Sequence, residues 1–114
     1  CLFRENSPSS LRHHLEEGAI LPCDRGAAGH VIRAWGNGVD DHAIDVLEAG
    51  FSQSEGERDP DISAIAVPVL DRQNRLLGVL TLSGPVSRFN QSKRKEALLF
   101  LKKHALECGR ALSA

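Results

Sequence analysis

Two hydroxyls and one glycine-rich loop are the features whose residue types and spacing could do chemistry in this 114-residue chain. Thr81 and Ser83 lie two apart in the apolar run from Leu76 to Ser83, and a second run, Ile62 to Leu70, precedes it. Alternate residues of a strand share a face, so the two hydroxyls point the same way. If the runs pair as a hairpin with Asp71 opposite Leu76, Ala66 faces Thr81 and Ala64 faces Ser83 on that side. The other side then carries Ile65, Val67, Val69, Leu80 and Leu82, all large and apolar and suited to lie under helices. The first side is apolar near the turn, with Leu70, Leu77 and Val79, and becomes small and hydroxyl-bearing toward the far end. Small residues leave volume and hydroxyls add directed polar groups, which is what a small-molecule pocket needs. A half-solvated sheet face has the same composition, so alternation alone leaves both readings open.

The loop Arg25-Gly26-Ala27-Ala28-Gly29 opens a helical pattern. Free backbone N–H groups at a helix start favour an anion or a carbonyl oxygen, and Gly and Ala let a ligand approach the backbone closely. A tight helix entry explains the same residues. The candidate ligand-binding set is therefore Gly26, Ala27, Ala28, Gly29, Ala64, Ala66, Thr81 and Ser83.

The chemistry expected of that set is binding, not catalysis. Ser83 has no evident histidine base, and neither G-x-S-x-G nor a phosphate-binding G-x-x-x-x-G-K-[ST] occurs. His13, His14, His30, His42 and His104 form no H-x-x-x-H pair and read as surface or capping residues, so no metal or other cofactor is expected. Cys1, Cys23 and Cys108 are far apart, without a C-x-x-C pair, and read as small buried hydrophobes in a reducing cytoplasm. Asp40, Asp41, Asp45 and Glu48 read as an acidic helix start. Lys93-Arg94-Lys95 and Lys102-Lys103 read as the solvated face of a helix.

Composition narrows the class further. A net charge of −1 and a pI near 6.6 lack the basic footprint of a nucleic-acid-binding domain. With 41% hydrophobic and 25% charged residues the chain reads as one globular domain, and 4% aromatics leave its core to Leu, Val, Ile and Ala. No apolar run approaches the roughly 20 residues that span a bilayer, and no signal-like segment opens the chain. Methionine is absent and the first residue is Cys, so the chain reads as a piece of a longer protein.

The elements that must position the candidate residues follow from periodicity. Cys1 to Glu5 reads as the end of a strand and Asn6 to Ser10 as a turn. Leu11 to Glu17 fits a short helical turn or an irregular edge strand equally well. Gly18 to Pro22 is a short apolar approach to a turn at Cys23 to Gly26. Asp24 is the expected N-cap of a helix from Ala27 to Trp35 with Ala28, Val31, Ile32 and Trp35 inward, ended by Gly36-Asn37-Gly38. A second helix starts near Asp40 or Asp41, turns Ile44 and Leu47 inward and stops at Gly50. Phe51 to Glu55 reads as a strand and Glu57 to Asp61 as a loop. The hairpin strands Ile62–Leu70 and Leu76–Ser83 follow, then a long helix from about Ser92 to Leu112 with a stripe of Leu98, Leu101, Ala105, Cys108 and Leu112.

Gly56-Glu57-Arg58-Asp59-Pro60, Ile65-Ala66-Val67-Pro68-Val69 and Leu82-Ser83-Gly84-Pro85 with Arg88 together resemble the effector-binding domain of IclR-family bacterial transcriptional regulators. The resemblance covers essentially the whole chain, and the stretch Ser83 to Arg88 is its most specific part. It implies an α+β, GAF-like fold: an antiparallel sheet with helices packed on it and a long C-terminal helix. It implies one effector-binding domain over residues 1–114, short of its first strands and helix, with the winged helix-turn-helix outside this chain. The implied function is sensing a small metabolite, with DNA gripped only by the absent domain, in a cytoplasmic homodimer or tetramer with no membrane contact. Pocket residues implied by the resemblance are the Arg25 to Gly29 loop, Ala64, Thr81 and Ser83. Two departures bear on the ligand. Many members have a His-containing, Thr-Ala-rich stretch with a Lys where Arg25 to His30 stand, and the position of Ala64 is often polar in members that hold a small acid. Two other readings remain: a generic GAF-like signalling module without a ligand, and a GAF-like reductase of free methionine sulfoxide that would need cysteines at its pocket.

Overall fold

The computed structural model describes residues 26–36, 41–57 and 59–113; the expectations for residues 1–25 lie outside these. In chain order the elements are α1 (Ala27–Trp35), α2 (Asp41–Ala49), β1 (Ser52–Glu55), β2 (Ile62–Leu70), β3 (Leu76–Pro85) and α3 (Gln91–Leu112). Among the described residues the strands form one antiparallel sheet in the order β1-β2-β3. The fold is α+β, as expected.

The β2–β3 register is the one the alternation predicts: Ala64 opposes Ser83 and Ala66 opposes Thr81. The turn differs. The ladder closes at Leu70 opposite Leu76, with a register shift beyond Val69–Gly78, so an extra residue is accommodated on β3. Leu76, not Leu77, therefore packs toward the small-residue face with Val79, and Leu77 is exposed. Asp71 organises the turn. Its Oδ1 accepts from the backbone N–H of Gln73 and Arg75 at 2.8 and 2.9 Å, and Asn74 takes the left-handed φ of 61°.

Two layers of helix cover the sheet on opposite faces. One side of β2, with Ile65, Val67 and Val69, packs against Leu101 and Ala105 of α3. Between these residues, Ala66 turns to the other side and joins Ala27, Val31 and Ala34 of α1 and Ala43 and Val46 of α2.

The helices lie where periodicity puts them, but their inward faces are rotated. On α1 the buried residues are Ala27, Gly29, His30, Val31 and Ala34, while Ile32 is 41% exposed. Small residues let α1 approach the alanine face of the sheet, so the Ala27–Val31–Ala34 stripe wins over the bulkier Ala28–Ile32–Trp35 stripe. On α2, Ala43 and Val46 are inward, and Ile44 and Leu47 are exposed for the same reason. The N-cap of α1 is Gly26, with no side-chain cap, rather than Asp24.

Helix α3 starts at an Asn90 N-cap whose Oδ1 accepts from Lys93 N–H at 3.0 Å. Its buried residues are Arg94, Leu101, Ala105 and Gly109. Cys108 is exposed and so is Leu112, both against expectation, because the contact at that end is made by Gly109 against Leu70. Arg94 is also buried rather than solvated. Its Nε donates to Gln53 Oε1 at 3.0 Å and its Nη1 to the Phe89 carbonyl at 2.7 Å, joining α3 to β1 and to the end of the β3–α3 turn.

Candidate functional site

The small-residue face is wider than the hairpin. β1 pairs with β2 so that Ser52 opposes Ala66 and Ser54 opposes Ala64. Directly opposed residues share a face, so two rows cross all three strands: Ser52–Ala66–Thr81 and Ser54–Ala64–Ser83. Each row has a hydroxyl at both ends and a methyl in the middle. With strands about 4.8 Å apart, the hydroxyls of one row stand roughly 10 Å apart, about the span of a small metabolite.

The hydroxyls differ in environment. Ser52 is 4% and Ser54 8% exposed, whereas Thr81 and Ser83 are exposed. A hydroxyl has one O–H to donate and two lone pairs to accept with, so Ser52 and Ser54 give this face groups to which a guest can hydrogen-bond. Ser63, on the other face of β2, donates to the Phe89 carbonyl.

Helix α1 lies over the rows. Ala27 and Ala66 are fully covered in one cluster, Ala28 and Ala64 are half-buried, and Gly26 and Gly29 are buried. The structure thus places all eight sequence-predicted residues on α1's first turn and on the sheet face beneath α1, with cover falling off from Ala66 toward Ser83. Gly26 takes φ 86°, a conformation that a side chain would strain.

One acidic residue fixes that first turn in place. Glu57 Oε1 lies 2.6 Å from His30 Nε2 and accepts from Gly26 N–H at 3.4 Å. Glu57 follows β1 directly, after Gly56, whose φ of 75° and N–H bond to the Ile62 carbonyl close the β1–β2 loop. His30 is therefore a buried, paired histidine, not the surface residue its spacing suggests. Its ring also meets that of His42 edge-on at 4.4 Å.

Ser52, Ser54 and Glu57 are the residues that sequence reasoning missed. A strand of only four residues, Ser-Gln-Ser-Glu, has no apolar alternation to reveal its inward side. Its serines at every second position were the one available signal. The reductase reading finds no support among the described residues, because Cys108 stands on α3, across the sheet from both rows. No three His, Cys, Asp or Glu among the described residues are grouped to hold a metal ion. No described helix is long and apolar enough to cross a membrane.

Residues 42–113 match the family model described as bacterial transcriptional regulator IclR C-terminal. Among solved structures, the chain is similar to an IclR transcriptional regulator from Alicyclobacillus acidocaldarius, with 25% identity and a TM-score of 0.82, over 99% of this chain and 55% of that one. It is also similar to the C-terminal domain of the E. coli transcriptional regulator KdgR, with 23% identity and a TM-score of 0.72, over 91% of this chain and 80% of that one. Similarity in fold extends to the Thermotoga maritima IclR, with 18% identity and a TM-score of 0.79, over 94% of this chain and 53% of that one. No curated protein sequence matches the chain.

Proposed function

The chain belongs to the C-terminal domain family of the bacterial IclR transcriptional regulators, and from that premise we propose that it senses a small-molecule effector for such a regulator. The carrying observation is the pair of hydroxyl-flanked rows, in which the buried Ser52 and Ser54 share the face of Ala64 and Ala66. A ligand held there reaches Thr81 and Ser83 at the ends of the rows and the α1 backbone at Gly26 to Gly29 above them.

The chain spans 55% of the length of its Alicyclobacillus relative, and in the proposed reading DNA is gripped by a helix-turn-helix outside these residues. Ligand contacts made from both α1 and the sheet favour one spacing between them. A ligand that binds one arrangement more tightly shifts the population toward it, and that shift is what a helix-turn-helix in a homodimer or tetramer reads. The proposed setting is the bacterial cytoplasm, and the reading includes no catalytic step.

Native mass spectrometry of the purified domain tests this directly. A co-purified metabolite, retained by wild type and lost from Ser54→Ala and Ser83→Ala, is the expected result. A ligand held equally by both variants rules out the proposed rows.

A further inference from the structure

Helix α3 buries one stripe and leaves the opposite one bare. Arg94, Leu101, Ala105 and Gly109 are its buried residues. At about 100° per residue, Glu96, Leu99, Lys103, Leu106 and Arg110 follow one another along the far side, alternately three and four residues apart. Phe100 flanks this stripe, with its ring centroid 4.3 Å from that of His104. Leu99 is 76% exposed, Phe100 59% and Leu106 58%, more than any large apolar residue described outside this helix. A single exposed leucine is ordinary, but three large apolar side chains on one helix form a patch of the kind that marks an interaction surface.

The order of charges along the stripe favours one occupant, a second copy of the same helix. Glu96 stands at the N-terminal end, Arg110 at the C-terminal end, and the two leucines lie between. Two parallel copies would set Glu96 on Glu96 and Arg110 on Arg110. Two antiparallel copies centred on Lys103 set each Glu96 against Arg110 of the other, and the same centre sets Phe100 against Leu106. Apolar and charged pairs therefore agree on one register, as a two-fold, self-complementary interface requires. At a shallow crossing of about 20° the charged ends, roughly 10 Å from the centre, stay within reach of each other. Glu96 also lies 4.0 Å from Lys93 Nζ, but that pair is exposed and of small worth. Lys103 meets its own copy on the axis, and its flexible stem lets the ammonium turn out to water.

We propose that the outward face of α3 is a homodimer interface, in which two chains pack antiparallel about Lys103 with Phe100 on Leu106 and Glu96 on Arg110. This surface lies across the sheet from the hydroxyl rows, so it stands or falls independently of the effector site. One helix face per copy belongs with the small specific interfaces, under about 1,200 Å² in total, so the association is reversible.

Sedimentation velocity of the full 114-residue chain tests this. Wild type is expected to pass from monomer to dimer between about 5 μM and about 500 μM. Leu106→Lys alters an exposed position, so it should fold as wild type does by circular dichroism and dimerise at least about tenfold more weakly. Glu96→Arg and Arg110→Glu should each weaken the dimer about threefold or more, and the double variant should regain wild-type association. In a parallel pair neither single exchange creates a new repulsion, so recovery by the double variant is specific to the antiparallel register. A wild type that stays monomeric throughout overturns the proposal and leaves the face to a partner of another sequence. A dimer unaffected by Leu106→Lys uses another surface and overturns it too. A dimer lost in both single exchanges and not regained in the double variant overturns the register about Lys103, and the proposal with it.

Discussion

Gly109 of α3 lies so close to Leu70 of β2 that a Cβ added to it would collide with the Leu70 carbonyl oxygen. The obstacle is backbone at the last paired position of the hairpin, so no side chain can swing aside. This close approach seats the final turns of α3 on the sheet, and Cys108 and Leu112 remain exposed around it. Gly109→Ala sets two effects against each other. Alanine improves helix propensity by about 1 kcal/mol, whereas overpacking against a fixed backbone costs about 1–3 kcal/mol. The clash is expected to win, giving a net loss that urea denaturation would measure. Gly78→Ala is the control, since nothing lies within 4 Å of a Cβ there, and it should be neutral or slightly stabilising.

Asp71 makes the hairpin turn sensitive to acid. The Arg75 N–H holds its carboxyl below the usual carboxylate range, helped by the Gln73 N–H and by the Arg75 side chain, against a smaller opposing effect of desolvation. A carboxyl whose folded pKa is depressed adds stability above its unfolded pKa and loses it as pH falls through the folded one. Wild type should therefore melt above Asp71→Asn at neutral pH, and the two should converge as the solution is acidified below the ordinary carboxylate range. Thermal melts across that range check the sign; a difference that grows on acidification would contradict it.

The hairpin was legible because two long apolar runs and the polar link between them leave little choice of register. Ala64–Ser83 and Ala66–Thr81 follow from counting back from the turn. The bulge beyond Val69–Gly78 was not legible, because a one-residue shift near a turn depends on how Asp71 and Asn74 close the loop. The helices were readable as spans but not as faces. Ile32, Ile44 and Leu47 are the more hydrophobic choices, yet the sheet face beneath them is alanine and favours close approach by Ala27, Ala34, Ala43 and Val46. His30 and Arg94 were misread for one reason: their partners, Glu57 and Gln53, are 27 and 41 residues away in sequence. Pairing over that distance leaves no local spacing to detect.

Arg94 is the buried cation on which the start of α3 depends. At 5% exposure its guanidinium donates to Gln53 Oε1 and to the Phe89 carbonyl, and Glu55 Oε1 lies 3.9 Å from Nη1. Arg94→Ala removes the stem and both bonds, and an expected loss of about 2–4 kcal/mol follows from the cavity and the stranded acceptors. Arg94→Met restores the stem without the donors and should recover only part of that loss. Urea denaturation separates the packing share from the hydrogen-bond share. Full recovery by Met would show that the guanidinium contributes little.

The two alanines of the rows should respond oppositely to the same enlargement. Ala66 has no exposed surface and packs under Ala27 and Val31, so Ala66→Leu must push α1 off the sheet, at about 1–3 kcal/mol. Ala64 is only half-buried, and its row neighbours are the small Ser54 and Ser83. Ala64→Leu therefore has room to place its side chain along the row and should change stability by less than about 1 kcal/mol. It would then occupy the volume assigned to the ligand, and the affinity for a co-purified metabolite should fall by more than about tenfold. Titration calorimetry beside thermal melts distinguishes the two effects. If Ala64→Leu folds normally and binds as wild type does, the ligand does not lie across the Ser54–Ala64–Ser83 row.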